Sequence, residues 1–237
     1  MFKNRLFFDK IEKIRGVYLL TLVVFSTGVF GQQIKVIRKP RAYWQSVTSD
    51  SLQRMVELKS IIPDIEYDLR YATPYNFTTK KLYKNSRYTF LRQPAARALA
   101  RENAELEKKG LGLKIFDAYR PYHATKLMWK LVHDERYVAN PAKGSGHNRG
   151  LAVDLTLIDL ETGNELEMGT GFDNFTDSAH HAFQKFPNII LENRKLLRKT
   201  MEASGFKALD TEWWHYSWPN DRNYEVMDID FKKLIEK

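Results

Sequence analysis

The sequence predicts an α+β fold, a single domain with a mixed or antiparallel sheet flanked by helices. Three observations carry this reading. Strand-like and helix-like patterns intermix without a regular βαβ repeat, so a doubly wound parallel sheet is not expected. The 237 residues are 43% hydrophobic and 13% aromatic, enough for one self-sufficient core. There is no cysteine, so disulfides, thiolate metal sites and a cysteine nucleophile are all excluded.

Residues 1–31 read as a targeting leader. Lys3, Arg5, Lys10, Lys13 and Arg15 against Asp9 and Glu12 carry +3 of the formal +9, leaving +6 for the rest of the chain. The apolar stretch from Gly16 to Phe30 is roughly 15 residues long, short for a spanning helix. Val29 and Gly31 occupy the −3 and −1 places before Gln32. The expectation is a cleaved export signal and a periplasmic location, without stable membrane association after cleavage. An uncleaved anchor is the alternative. The remaining positive charge forms no basic run or recognition motif, so nucleic acid is not an expected partner.

Residues 32–50 are polar and basic and are expected to be a linker, leaving 51–237 as the domain. From Met55 to Ile62 the pattern is apolar and extended, until Pro63 breaks it. Ile65 to Tyr71 alternates as a strand should, and 72–79 is a loop around Pro74. A helix is expected from Pro94 to Lys109, with Leu99, Leu106 and alanines inward. Arg101/Glu105 and Glu105/Lys109 are spaced to pair, and Gly110 ends the helix. Leu113 to Ala118 reads as a strand stopped by Pro121, and 122–134 as a second amphipathic helix. A glycine-rich loop then leads into a strand from Leu151 to Ile158. Thr162-Gly163-Asn164 is a turn, and 168–188 a long loop covering something. Asn188 to Ser204 reads as a third helix closed by Gly205. Thr211 to Trp218 is a last strand, ended by Pro219. No internal repeat is present.

The chemistry concentrates in two stretches. In Gly144-Ser145-Gly146-His147-Asn148-Arg149-Gly150-Leu151-Ala152-Val153-Asp154, three glycines argue against a helix between His147 and Asp154. A loop is expected to deliver His147 and the start of a strand to deliver Asp154. A carboxylate inside so apolar a strand is costly unless it is paired or bound to metal; the plainer alternative is a solvent face showing Asp154 and Thr156. In Glu212-Trp213-Trp214-His215-Tyr216 the acid and the imidazole are three apart, so a bulge or bend is needed to aim both inward. The alternative is a Trp-rich core strand with both at its edges. Together the stretches offer two imidazoles, one carboxylate and a second carboxylate nearby. That is the ligand set of a catalytic zinc site with one position open, plus a base. Arg120 ends a strand before Pro121, where it suits an oxyanion or, taken alone, a surface ion pair. His123 and His133 belong on or near a helix, at the surface or just behind the ligands. His180 and His181 are adjacent and point apart, which disfavours a metal site there.

The order Ser145-x-His147-x-x-Gly150-x-Ala152-x-Asp154, then Glu212-x-x-His215, resembles the zinc D-Ala-D-Ala peptidases. The chain is most similar to D-alanyl-D-alanine dipeptidases of the vancomycin-resistance type, which are M15-like peptidases. Further stretches carrying the resemblance are Asp68-Leu69-Arg70-Tyr71-Ala72-Thr73, Asn76-Phe77-Thr78, Asp117-Ala118-Tyr119-Arg120-Pro121 and Met168-Gly169-Thr170-Gly171-Phe172-Asp173. It covers roughly residues 55–218 and implies the zinc fold shared with hedgehog-type domains. It also implies one zinc ion per chain on His147, Asp154 and His215, with Glu212 as base and Arg120 facing the oxyanion. Tyr71, Ser145 and Asp173 would meet the charged ends of a small D,D-dipeptide substrate. The implied activity is hydrolysis of D-Ala-D-Ala from peptidoglycan. The alternatives are a carboxypeptidase or endopeptidase acting on longer stem peptides, and a non-catalytic zinc module of the same fold. The family pattern commonly has glycine after Asn-Phe-Thr; this chain has Thr79.

Overall fold

A computed structural model describes residues 34–84 and 87–235. The expected leader, 1–31, lies outside them. Among the described residues no helix is long and apolar enough to cross a membrane.

The expected linker is instead structured. Strand β1 (Val36–Ile37) and helix α1 (Pro40–Ser49) occupy it. Pro40 sits in the first turn of α1, where its missing N–H breaks no hydrogen bond. Polar composition conceals one buried anchor here: Tyr43 is fully buried, and its hydroxyl accepts from the Met55 N–H at 2.8 Å.

Strand β2 (Met55–Glu57) is shorter than its apolar run suggests. The Glu57 side chain accepts from the Ser60 N–H at 2.9 Å and turns Leu58–Ser60 into a 3₁₀ turn. Likewise only Glu66–Tyr67 of the expected strand at 65–71 pairs, as β3, and Arg70–Ala72 turns away. Strand β4 (Phe90–Arg92), which the sequence did not flag, pairs antiparallel with β2. Helix α2 (Gln93–Glu107) follows with Leu99 and Leu106 inward. On its outer face Glu105 pairs with Lys108 at 2.5 Å, not with Arg101 or Lys109.

Strand β5 (Leu111–Asp117), helix α3 (Tyr122–Leu131), helix α4 (Gly146–Arg149) and strand β6 (Ala152–Asp159) come next. The one-turn α4 stands where glycines argued for plain loop. Ser145 and Asn148 form a capping box at its start, and Gly150, at φ 70°, closes it in the left-handed region. The segment 168–187 is a long loop as expected, with one 3₁₀ turn at Asp177–Ala179. Helix α5 (Asn188–Ala203), β7 (Lys207–Leu209), β8 (Glu212–Ser217) and β9 (Val226–Met227) complete the chain. Neither β7 nor β9 is expected from the sequence pattern.

The central sheet is mixed, in the order β3-β5-β6-β8-β7. Its one parallel pair is β3 with β5; the others are antiparallel. Helices α2 and α5 pack on it and touch one another. Along β6, Val153, Leu155 and Leu157 join the hydrophobic core. Strand alternation then turns Asp154 to the other face. β1 and β9 form a separate parallel pair.

Candidate active site

Strand register assembles the centre of the site. Asp154 on β6 stands opposite Asp117 on β5 and opposite His215 on β8. Three adjacent strands therefore place three ionisable side chains in one row. The bend expected in β8 is also present: Ala208 faces Tyr216 while the next residue, Leu209, faces Glu212. Trp213, Trp214 and His215 thus have no partner on β7, and this irregularity lets Glu212 and His215 approach one site.

His147 reaches the row from α4. Its Nδ1 lies 2.8 Å from the Ala118 carbonyl oxygen and 3.4 Å from Asp117 Oδ2. Both neighbours are acceptors, so Nδ1 donates to them, and Nε2 is the nitrogen turned toward the row. Nε2 lies 3.3 Å from His215 Nδ1 and 3.4 Å from Asp154 Oδ2. His215 Nδ1 is 2.8 Å from Asp154 Oδ1. One donor atom from each of the three residues falls within 4.8 Å of the others. Two ring nitrogens converging on a carboxylate, with one tautomer fixed from behind by a carbonyl, suit a divalent cation. Burial opposes the Asp154 charge, but His147 and His215 outweigh it and hold this carboxyl below the usual range. Burial pulls the His215 imidazole down; the Asp154 hydrogen bond and charge more than restore it.

Arg120 is buried, not at the surface. Its Nε donates to Asp117 Oδ2 at 2.7 Å, and an Nη lies 3.7 Å from Asp154 Oδ2. Its guanidinium lies over the Tyr71 ring at 4.7 Å. Asp117 is fully buried, and burial raises its pKa despite Arg120 and His147. The Tyr83 hydroxyl donates to its other oxygen at 2.8 Å. Asp117 thus ties Arg120 and His147 into one assembly, a role the sequence reading did not assign. Like Asp154, Asp117 is a carboxylate in an apolar strand, which is costly to bury unpaired.

Glu212 lies 3.9 Å from His215 Nδ1. Burial pushes its carboxyl up to about 8, against the pull of His215. Opposite stand residues from loops. The Tyr71 hydroxyl donates to Asp173 Oδ1 at 2.8 Å, while Asp173 Oδ2 is buried without a hydrogen-bond partner. Burial raises Asp173 to about 7, although the Tyr71 bond lowers it. Ser145 caps α4, its Oγ accepting from the His147 N–H at 3.1 Å. All eight residues singled out from the sequence, Tyr71, Arg120, Ser145, His147, Asp154, Asp173, Glu212 and His215, line one cavity of about 220 Å³.

The wall also contains residues the sequence reading missed. Phe77, Phe175 and Tyr137 form an aromatic arc, with centroids 5.2 Å apart for Phe77–Phe175 and 4.8 Å for Tyr137–Phe175. These come from three separate loops, and no spacing in the sequence links them. The other histidines stay outside. His123 pairs with Asp228 at 2.7 Å, and His133 packs against the Trp129 ring. Among the described residues, His180 and His181 join no group of metal-ligating side chains.

A family profile described as D-Ala-D-Ala dipeptidase, of the M15 peptidases, matches residues 51–234. The D-alanyl-D-alanine dipeptidase of Escherichia coli (strain K12) is 39% identical over 181 residues, covering 76% of this chain and 93% of its own length. The D-alanyl-D-alanine dipeptidase of Enterococcus faecalis (strain ATCC 700802 / V583) is 35% identical, covering 67% of this chain and 88% of its own. A solved structure of the LD-carboxypeptidase LdcB aligns over 69% of each chain, at 20% identity and a TM-score of 0.39. The profile spans every strand of the central sheet and every residue lining the cavity, and the chain belongs to the D-Ala-D-Ala dipeptidase family of M15 peptidases.

Proposed function

We propose that this chain is a zinc-dependent dipeptidase that hydrolyses D-alanyl-D-alanine. The observation that carries the reading is the convergence of His147, Asp154 and His215 beside Glu212 in a small cavity. A buried, unpartnered carboxylate oxygen on Asp173 lines the same cavity. The donor set fits one zinc ion per chain, which when bound would polarise the scissile carbonyl and acidify the attacking water.

The chain's own groups do the rest. Glu212 takes a proton from the water that attacks the carbonyl carbon. It delivers that proton to the leaving amine nitrogen as the C–N bond breaks. Arg120, fixed by Asp117, donates to the oxygen that gains negative charge. Asp173, steadied by Tyr71, meets the substrate ammonium, since a charge entering so buried a wall needs an opposite one. Ser145 lies at the opening of α4, where the substrate carboxylate would meet it. The aromatic arc of Phe77, Phe175 and Tyr137 narrows the cavity, which favours a dipeptide over a longer stem peptide. Glu212 and Arg120 both line the cavity, which speaks against a non-catalytic zinc module.

Residues 1–31, as an export signal, would place the enzyme in the periplasm, where it would act on dipeptide released from peptidoglycan. The test of the activity is a panel of D,D-, L,D- and L,L-dipeptides with one longer stem peptide, run with and without chelator. Turnover confined to D-Ala-D-Ala and abolished by chelator is expected. Faster release of D-Ala from the stem peptide, or full activity in chelator, would overturn the reading.

A further inference from the structure

The segment from Met168 to His180 brings Asp173 and Phe175 to the cavity, yet apart from one 3₁₀ turn it has no regular structure. Asp173 itself sits at φ 60°, in the left-handed region that few non-glycine residues enter, aspartate more readily than most. A loop of this length, left to itself, would spread Asp173 over many positions.

One side chain outside the cavity wall grips the loop at three points. Arg194 on α5 is 4% exposed. Its Nε donates to the Met168 carbonyl at 2.7 Å, one Nη to the His180 carbonyl at 3.2 Å, and the other to Thr170 Oγ1 at 3.4 Å. The two carbonyls belong to the two ends of the loop. The Thr170 hydroxyl also accepts from Trp213 Nε1 at 2.9 Å, and Trp213 directly follows Glu212 on β8. The guanidinium lies 4.8 Å from the Phe186 ring centroid and 5.9 Å from that of Trp213. Phe186 in turn packs against Gly169, where a Cβ would come within 2.7 Å of the ring. Loop, helix and the Glu212 strand therefore meet at one buried cation. A planar fork of fixed donors is what reaches two carbonyls and a hydroxyl at once; a lysine ammonium has no such fork.

We infer that Arg194 is a positioning residue for recognition of the substrate amine. It fixes both ends of the 168–180 loop against α5 and β8, and so sets where Asp173 stands relative to Glu212. This rests on the reading of Asp173 as the ammonium partner. Loosening the loop should weaken binding of a free amino group more than it slows the chemical step.

The test compares wild type, Arg194→Met, Arg194→Lys and Leu197→Ala, the last a core truncation on the same helix. For each zinc-loaded protein, kcat and KM are measured on D-Ala-D-Ala and on its N-acetyl derivative. Thermal midpoint and amide exchange across 168–180 are measured beside them. Arg194→Met should raise KM for the free dipeptide about tenfold, the loss expected for one charge-assisted hydrogen bond, with a much smaller change in kcat. Its preference for the free over the acetylated amine should fall by a similar factor, and exchange across 168–180 should quicken. Arg194→Lys should recover only part of this. Leu197→Ala should lower the midpoint and leave KM alone. A wild-type KM and wild-type amine preference in Arg194→Met would overturn the inference. If that variant does not fold, the same result in Arg194→Lys would overturn it. So would an equal rise of KM in Leu197→Ala. Wild-type turnover of D-Ala-D-Ala reports separately on the proposed activity, and the exchange measurement needs no turnover.

Discussion

The cavity has two halves built on different principles. One half hangs on the sheet: Asp117, Asp154, His215 and Glu212 sit on β5, β6 and β8, with His147 and Arg120 bonded to Ala118 and Asp117 at the end of β5. The other half, Tyr71, Phe77, Tyr137, Asp173 and Phe175, comes from loops and turns. In the sheet half position follows from register, and shifting a strand by one residue would turn its side chains to the opposite face. In the loop half position follows from a few side-chain bonds, such as Tyr71 to Asp173 and Arg194 to Met168 and His180. The proposed chemistry thus falls on the half set by strand register, and the proposed recognition on the half that small changes can retune.

The sharpest way to test that division is to remove the proposed base, Glu212, from the sheet half. Glu212→Gln keeps the shape and loses the proton acceptor. Turnover of D-Ala-D-Ala should fall by about 10²–10⁴, the usual worth of a general base, with KM little changed. Zinc content by elemental analysis should stay at one per chain. His215→Ala should instead strip the zinc. Full activity in Glu212→Gln would move the base elsewhere.

The matching change in the loop half is Asp173→Asn. The amide keeps a hydrogen-bond acceptor for the Tyr71 hydroxyl but loses the negative charge proposed to face the ammonium. KM should rise about tenfold or more, while kcat falls much less. A variant that loses kcat and keeps KM would place Asp173 with the chemistry and erase the distinction between the halves.

The two halves were also unequally legible in the sequence. His147, Asp154, Glu212 and His215 lie in two short stretches where a charge interrupts an apolar strand or glycines crowd a histidine. Those are local conflicts, and a buried charge has few physical explanations. The β8 irregularity could be anticipated because Glu212 and His215 are three apart, out of step with a strand. The aromatic arc could not, because Phe77, Tyr137 and Phe175 meet only once three loops have closed. Strands β4, β7 and β9 were missed for a related reason. They are two or three residues long, too short to show alternation, and pairing partners far along the chain define them. Helix α1 hid behind polar residues because its single fully buried side chain, Tyr43, leaves no period to read.

A third test uses pH on the metal-free protein. Unfolded, Glu212 and Asp173 ionise near the ordinary carboxylate value of about 4. Folded, burial holds them up at about 8 and about 7. Between those limits the folded state binds more protons than the unfolded one, so stability falls as pH rises from about 4 to about 8, by at most about 1.4 kcal/mol per pH unit for each group. His215, held above its usual value by Asp154 against burial, adds to the fall with the same sign. Urea midpoints of chelator-treated protein at pH 5 and pH 8 should show it, and Glu212→Gln should flatten it. Added zinc should flatten it too, because a neighbouring cation favours the carboxylates. His181, pulled down to about 4 chiefly by burial, opposes the fall below about pH 6.5, so the deciding comparison is with the variant: a pH dependence that Glu212→Gln leaves unchanged would contradict the burial of Glu212.

The smallest effect concerns stiffness in the loop half alone. Thr79 sits at φ 55°, where a β-branched residue is strained by about 1–2 kcal/mol. Its N–H donates to the Asn76 carbonyl at 3.0 Å, which any residue would retain, and its hydroxyl bonds only to the adjacent Thr78 carbonyl. Thr79→Gly relieves the strain but frees the unfolded chain by about 0.4–1 kcal/mol, so the net gain should be about 0.5–1 kcal/mol. For a domain of this size that is a rise in thermal midpoint of roughly 1–4 °C. Thr79→Ala, which keeps Cβ, should show no such rise. Phe77 stands two residues away in the cavity wall, so KM measured on the same variant asks whether recognition depends on a strained loop. A higher midpoint with unchanged KM would mean that Asn76, whose side chain bonds the carbonyls of Arg70, Thr73 and Lys80, holds this part of the wall without help from residue 79.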